Sequence, residues 1–243
     1  MPVARFYCPI DLKPGRAARL TEAVTRHALG ALRLRVGDTV ILFNGDGTEC
    51  SAVLARSGRE ALAQVGECRA VDRESPLVVT LAQGISSGER MDYTLQKAVE
   101  LGVAAIQPLT MRRTVVRLTA DKQERRRAHW QGVVMSACEQ CGRTRLPPVA
   151  PIAEFAQWLQ GVGSTDAVRL LLDPQANLRL RDLPPPASPV LLLAGPEGGL
   201  DAAEREAAIA LGFTPISLGP RILRTETAAV AALAAMQALW GDG

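Results

Sequence analysis

The feature that most constrains this chain lies in its last third, where one plan occurs twice: an apolar run, a bend rich in Gly and Pro, then a helical pattern. The first copy is LLLAGPEGGL over residues 191–200 and the second is SLGPRILRTET over residues 217–227. Val190 to Leu193 are continuously apolar, as in a strand covered on both faces. Gly195, Gly198 and Gly199 then open the backbone where something must approach closely. Asp201 and Glu204 have capping-box spacing and start a helix that reaches about Leu211 and is stopped by Gly212. The second copy predicts a strand over 215–218, a bend at Gly219 and Pro220, and a helix from Thr225 to Trp240. Two such bends leaving neighbouring strand ends make a crevice at the edge of a parallel sheet, where these sheets bind small molecules.

Neither bend has the Walker or GxGxxG pattern, so the usual phosphate cradles are unsupported. Ordinary strand-to-helix turns also use Gly and Pro. Glu197, Arg221, Arg224 and Glu226 placed among the glycines favour a site over two plain turns. Upstream, Leu77 to Ala82 reads as a strand and Ser86 to Glu89 as a capping box. Met91, Leu95, Ala98, Val99 and Leu101 form the buried stripe of a helix that Gly102 ends, and Val103 to Leu109 is the next strand. This β-α-β unit predicts a parallel pair with a right-handed crossover. A helix over 122–141, a short helix over 152–161 and a strand over 169–172 follow, and Asp173-Pro174 opens a third candidate loop. The alternation predicts an α/β fold with helices on both faces of a parallel sheet.

The front of the chain is different. Val3 to Cys8 is an edge segment, and residues 17–33 place Ala17, Leu20, Val24, Ala28 and Ala31 on one helical stripe. Strands over 38–43, 49–55 and 61–65 follow, separated by the hairpin signal at residues 44–47 and a turn at Ser57–Arg59. Short strands around a helix predict a small β-barrel-like domain. The pattern changes near residues 69–76, dividing the chain into 1–72 and 73–243.

Charge is segregated along the sequence. Residues 1–150 carry 22 Lys and Arg against 15 Asp and Glu, a net +7, whereas residues 151–243 carry 6 against 10, a net −4. The stretch 112–127 alone is +5, from seven basic residues, Arg117 among them, and two acidic ones. With Lys13, Lys97 and Lys122 the only lysines, arginine forks dominate, and these suit phosphate and base edges. A basic front half predicts a polyanion partner. The five cysteines are an odd number, which argues against a disulfide framework. Cys138 and Cys141 form a lone CxxC, and His27 and His129 lack ligand spacing to it, so no metal is expected. No signal peptide or membrane span is read, and a cytoplasmic address follows by default.

Several motifs together are specific: GISSGERM over 84–91 with QKAVELG over 96–102, ACEQCGR over 137–143, AGPEGGL over 194–200 and LGPRILRTETA over 218–228. They resemble the bacterial 16S rRNA (uracil-N3)-methyltransferase family of the SPOUT class, along nearly the whole chain. LRLRVGD over 32–38 and FNGDG over 43–47 are similar to that family's N-terminal PUA-like barrel, although RHALGALR over 26–33 fits only loosely. The resemblance implies a trefoil-knotted C-terminal domain whose chain passes through a loop near residues 190–225. It implies S-adenosyl-L-methionine (SAM) at Leu172, Ala194, Gly195, Pro196, Gly198, Gly199, Leu218, Gly219, Ile222, Leu223 and Thr225. It also implies methylation of a uridine N3 in 16S rRNA, with the assembled small ribosomal subunit as the context, and a homodimer. Candidates for the chemistry are Arg224, Glu226, Glu197 and Arg221. Candidates for RNA contact are Arg5, Arg33, Arg90, Arg112, Arg113, Arg125, Arg126 and Arg143. The rival readings are a SPOUT enzyme acting on another RNA, such as a tRNA ribose, and a non-catalytic RNA-binding assembly factor.

Overall fold

The computed structural model describes residues 3–56, 61–116, 119–162 and 166–243. The expected turn at Ser57–Arg59 and the basic residue Arg117 lie outside these. The chain forms two compact units, one of residues up to Glu74 together with Met135–Leu146, the other of Ser75–Val134 and Pro147–Gly243.

The first unit is a five-stranded sheet of β1 (Ala4–Tyr7), β2 (Ala17–Arg19), β3 (Thr39–Phe43), β4 (Thr48–Arg56) and β5 (Leu62–Ala70), ordered β1-β3-β4-β5-β2. Only the β1–β3 pair is parallel. Phe6, Ala18, Val40, Leu54 and Ala63, from all five strands, fall in one apolar cluster, so the sheet curls around its own core. The helix expected over 17–33 is shorter than its stripe suggests. Ala18 is buried between exposed neighbours and pairs with Ala63 as a strand residue. The helix α1 (Glu22–Arg26) begins only after Thr21, whose hydroxyl accepts from Val24 N, and a π-type turn follows over His27–Ala31.

One reading of the cysteines is overturned: Cys50 and Cys68 form a disulfide. They are register partners on β4 and β5 with Cα atoms 4.0 Å apart. Strand pairing across a separation of 18 residues brings them together, and an odd cysteine count cannot reveal that.

Two of the arginines expected on an RNA surface are instead committed inside this unit. Arg143 is 5% exposed and ion-paired with Glu74. Arg5 pairs with the buried Glu49, donates to the Gly142 carbonyl at 3.0 Å and stacks over Phe43. Their cations are spent on internal acceptors: the buried Glu49 carboxylate gathers Arg5, Arg69 and Arg73, and the half-buried Glu74 takes Arg143.

The second unit is a six-stranded sheet ordered β11-β9-β10-β6-β7-β8, with every pair parallel. Its strands are β6 (Val79–Gly84), β7 (Ala105–Thr110), β8 (Ala153–Glu154), β9 (Val168–Leu172), β10 (Val190–Ala194) and β11 (Thr214–Ile216). β10 is buried along its whole length, as its unbroken apolar sequence requires. Leu191 and Leu193 face a cluster with Phe155 and Leu159 of α4 (Phe155–Val162) and Ala208 of α5 (Ala202–Ala210). On the other face lie α2 (Glu89–Glu100) and α6 (Thr225–Trp240), packed on each other, with α6 reaching β10. The long helix α3 (Ala120–Cys141) links β7 to the later elements. Among the described residues, no helix is long and apolar enough to cross a membrane.

The capping box expected at Ser86–Glu89 does not form. Gly88, at φ 57°, is the cap of α2 and contributes no side-chain bond. Ser86 bonds instead toward Thr225, and Ser87 to Glu197. By contrast Asp201 and Glu204 do cap α5 reciprocally, each side chain accepting the other's backbone N–H, at 2.7 and 3.0 Å.

Candidate active site

The two bends do not leave adjacent strands as expected: β9 lies between β11 and β10, but all three are parallel, so the loops that follow them leave the same edge of the sheet. These are the three stretches starting at Asp173, Gly195 and Ser217, and together they line a cavity of about 540 Å³. That size is within the usual range for a small-molecule site, about 300–1,000 Å³. Each residue the sequence assigned to the cofactor lines this cavity, as do Glu197, Arg221 and Arg113. Arg224 and Glu226 stand next to it, at the start of α6, and are not part of its lining.

The loop after β10 is shaped by close approaches only glycine allows. A Cβ on Gly195 would stand 2.9 Å from Leu200 Cδ1 and 3.0 Å from Gly199 Cα. Gly84, at the end of β6, sits so near this loop that a Cβ there would lie 2.5 Å from the backbone N of Pro196. Beside it is a buried polar knot. Thr225 donates its hydroxyl to the Gly195 carbonyl at 2.7 Å. Gln83 Nε2 donates to Thr225 Oγ1 at 3.1 Å, to the Gly195 carbonyl at 3.2 Å and to its neighbour Gly84 at 2.9 Å. The Ser86 hydroxyl is 3.3 Å from that of Thr225. One network thus joins the end of β6, the loop after β10 and the first turn of α6. The Thr225 hydroxyl is therefore committed to loop geometry, while its position still borders the cavity.

Glu197 is a second junction. Its Oε1 accepts from Ser87 N and Ser87 Oγ, both at 2.7 Å, and from Arg90 Nη1 at 3.1 Å. Partial desolvation raises its pKa, but the bonds from Ser87 and Arg90 outweigh this and hold the carboxyl below its ordinary value. It therefore stays ionised and ties the start of α2 to the loop after β10. Arg90 is accordingly engaged with a carboxylate here. The loop after β9 is held by Asp173, which is 8% exposed, accepts from Arg205 Nε at 2.6 Å and donates its own N–H to Ile216 at 2.9 Å.

Arg221 and Arg224 are exposed, and Ile222 between them is 85% exposed. One carboxylate oxygen of Glu226 is buried without a protein partner. Of the other basic candidates, Arg33 and Arg125 are exposed and Arg126 is half-buried. Arg112 and Arg113 are turned toward the loop after β10. Sequence reasoning missed Gln83, Gly84 and Arg205. Gln83 was signalled only as a polar residue near the end of an otherwise apolar strand, whereas Gly84 opens the motif over 84–91 but was not assigned to the site.

Two family models match the chain: an RNA methyltransferase domain over residues 73–237 and an RNA methyltransferase PUA domain over residues 20–65. Ribosomal RNA small subunit methyltransferase E of Synechocystis is 37% identical over 227 residues, 90% of this chain and 72% of that protein. The protein of that name from Buchnera aphidicola of Schizaphis graminum is 32% identical over 99% of this chain and 98% of its own. The chain belongs to the ribosomal RNA small subunit methyltransferase E family. A solved methyltransferase E from Neisseria gonorrhoeae, bound to S-adenosyl methionine, has a TM-score of 0.89 at 42% identity, over 99% of each chain. The S-adenosyl methionine bound by the Neisseria protein carries no phosphate, in keeping with the missing phosphate-loop patterns in this chain.

Proposed function

We propose that this chain transfers a methyl group from SAM to N3 of a uridine in 16S rRNA of the small ribosomal subunit. The observation that carries this is the cavity where three parallel strands end, in a chain of the methyltransferase E family. The residues present fit the donor. Leu172, Leu218 and Leu223 offer apolar walls for an adenine, and Gly195, Gly198 and Gly199 let backbone groups come close. Asp201 and Glu206 bring negative charge to the same lining, suited to a cationic sulfonium and ammonium. When bound, SAM supplies an electrophilic methyl group.

The chain must do the rest. A uracil N3–H is a weak acid that is normally base-paired, so the base has to be presented out of its stack, at about a few kcal/mol. Arg221 and Arg224, exposed beside the cavity, are placed to stabilise negative charge on the uracil oxygens as the N3 proton leaves. Glu197 is saturated on one oxygen and held ionised, which suits it to positioning and makes it a weak proton acceptor. Glu197 and Glu226 each keep one buried oxygen without a protein partner, but Glu226, in the first turn of α6, lacks the Ser87 and Arg90 bonds that hold Glu197 ionised, so it is the better candidate for the N3 proton.

Residues 1–72 would act as a PUA-like RNA-binding domain and residues 73–243 as the methyltransferase domain. Of the arginines named as RNA candidates, Arg33, Arg125 and Arg126 are the ones left available to it. The trefoil path near residues 190–225 is supported by the order β11-β9-β10 and by the bridge between Arg179 and Ser217, which joins the first loop to the third. A homodimer is supported by α6, which carries no charge from Thr227 to Trp240 although Thr227, Ala234, Ala238 and Leu239 are exposed. An rRNA substrate supports a cytoplasmic location.

The test is incubation with labelled SAM and either assembled small subunits or naked 16S rRNA lacking the modification, followed by nucleoside mass mapping. 3-Methyluridine at one site is expected. Methyl found on a ribose, or none incorporated, would refute the reading.

A further inference from the structure

Arg112 and Arg113 read as RNA contacts in the sequence, yet both hold the loop after β10. They lie in a turn after β7 that is closed on itself: Met111 N donates to Thr114 Oγ1 at 2.9 Å and Thr114 N to the Met111 carbonyl at 3.0 Å. From this turn the Arg112 N–H donates to Glu204 Oε1 at 2.8 Å. Glu204 is 7% exposed, and its other oxygen accepts from Asp201 N at 3.0 Å. The Arg112 guanidinium also reaches to 3.4 Å from Asp201 Oδ2. Arg113 Nη1 donates to the Gly198 carbonyl at 2.9 Å. The base of its side chain is so close that a Cβ on Gly198 would stand 2.9 Å from Arg113 Cβ. One rigid turn therefore grips the loop at Gly198, at Asp201 and at the cap of α5.

We propose that residues 111–114 form a strap that keeps the loop 195–201 in its cofactor-receiving shape, with Arg113 and Glu204 as positioning residues. The proposal rests on the SAM reading above. Its physical basis is entropy. Gly198 and Gly199, the latter at φ 67°, give the loop access to the cavity but leave its backbone with wide freedom. Bonds from outside the loop restrict that freedom before any ligand arrives, and a pre-shaped loop binds more tightly.

SAM affinity should be measured by calorimetry for the wild type, Arg113→Ala, Arg113→Lys and Gly198→Ala, with RNA affinity measured in parallel at saturating SAM. Arg113→Ala is expected to raise the SAM dissociation constant about tenfold, the weight of one charge-assisted hydrogen bond. Lysine should restore part of this, since an ammonium can also donate to the Gly198 carbonyl. Melting temperature and RNA affinity should stay near wild type, because Arg113 is exposed and the strap acts on the loop alone. Gly198→Ala should weaken SAM binding, and by less in the Arg113→Gly, Gly198→Ala double variant than the single effects predict, since the crowding Cβ is then gone. Wild-type SAM affinity in Arg113→Ala, with RNA affinity lost, would overturn the strap and return Arg113 to the RNA surface. Failure of the wild type itself to bind SAM would instead sink the cofactor reading, and the strap with it.

Discussion

Thr225→Val isolates the polar knot, because it keeps the β-branched shape of the side chain and removes only the hydroxyl. Thr225 is 8% exposed and Gln83 is 0% exposed, so neither side chain is solvated. The substitution deletes the 2.7 Å bond to the Gly195 carbonyl and the acceptor for Gln83 Nε2 at 3.1 Å. Gln83 Nε2 keeps its bonds to Gly84 and Gly195. The Gly195 carbonyl retains only the longer of its two bonds, and the Ser86 hydroxyl loses its nearer partner. Leaving buried groups under-satisfied costs about 1–3 kcal/mol. Much of that would fall on the loop rather than on global stability, because the network ties the loop after β10 and the first turn of α6, both of which border the cavity, to the end of β6. The expected result is a rise of roughly tenfold or more in the SAM dissociation constant by calorimetry, with Thr225→Ser close to wild type. A Thr225→Val protein that binds SAM like the wild type would show that the knot does not shape the site.

The remaining expectations concern catalysis, acid and redox state. Arg224→Ala should lower the methylation rate by about a hundredfold or more while the protein stays folded; wild-type rates in a labelled-methyl filter assay would remove it from the chemistry. Burial raises the pKa of Glu49, but bonds from Arg5 and Arg69 outweigh this and depress it, and Glu197 is depressed in the same way. A depressed carboxylate contributes stability above its unfolded pKa and loses it as pH falls through the folded one. Denaturant unfolding should therefore show stability falling as pH drops below about 4.5. Glu49→Gln should flatten that fall, and an unchanged acid profile would refute the assignment. Reducing Cys50–Cys68, which closes a separation of 18 residues, should lower unfolding stability by about 3 kcal/mol. Free alkylation of both cysteines in unreduced, unfolded protein would show that the bond is absent.

The architecture of the C-terminal unit was legible in the sequence because its signals are local. An unbroken apolar run at Val190–Ala194, a reciprocal cap at Asp201 and Glu204 and a glycine at 212 each act within a few residues, and each has its expected place in the structure. What could not be read has one physical origin: the partner of a charged group is chosen by contacts distant in sequence. Arg143 met Glu74, 69 residues away, and Arg113 met the Gly198 carbonyl, 85 residues away. A run of arginines therefore reads as a uniform basic surface, although the fold divides it among a core ion pair, a loop strap and exposed cations. The serines at 86 and 87 failed for the same reason. Their spacing to Glu89 is that of a local cap, but Thr225 and Glu197 compete for them across the sheet and win. Of the misread positions, Ser86, Ser87 and Arg113 gather beside the cavity, where polar groups from separate strand ends are satisfied by one another. In a chain of this kind, a local polar motif that goes unused at a strand's C-terminal end is itself a pointer to the site.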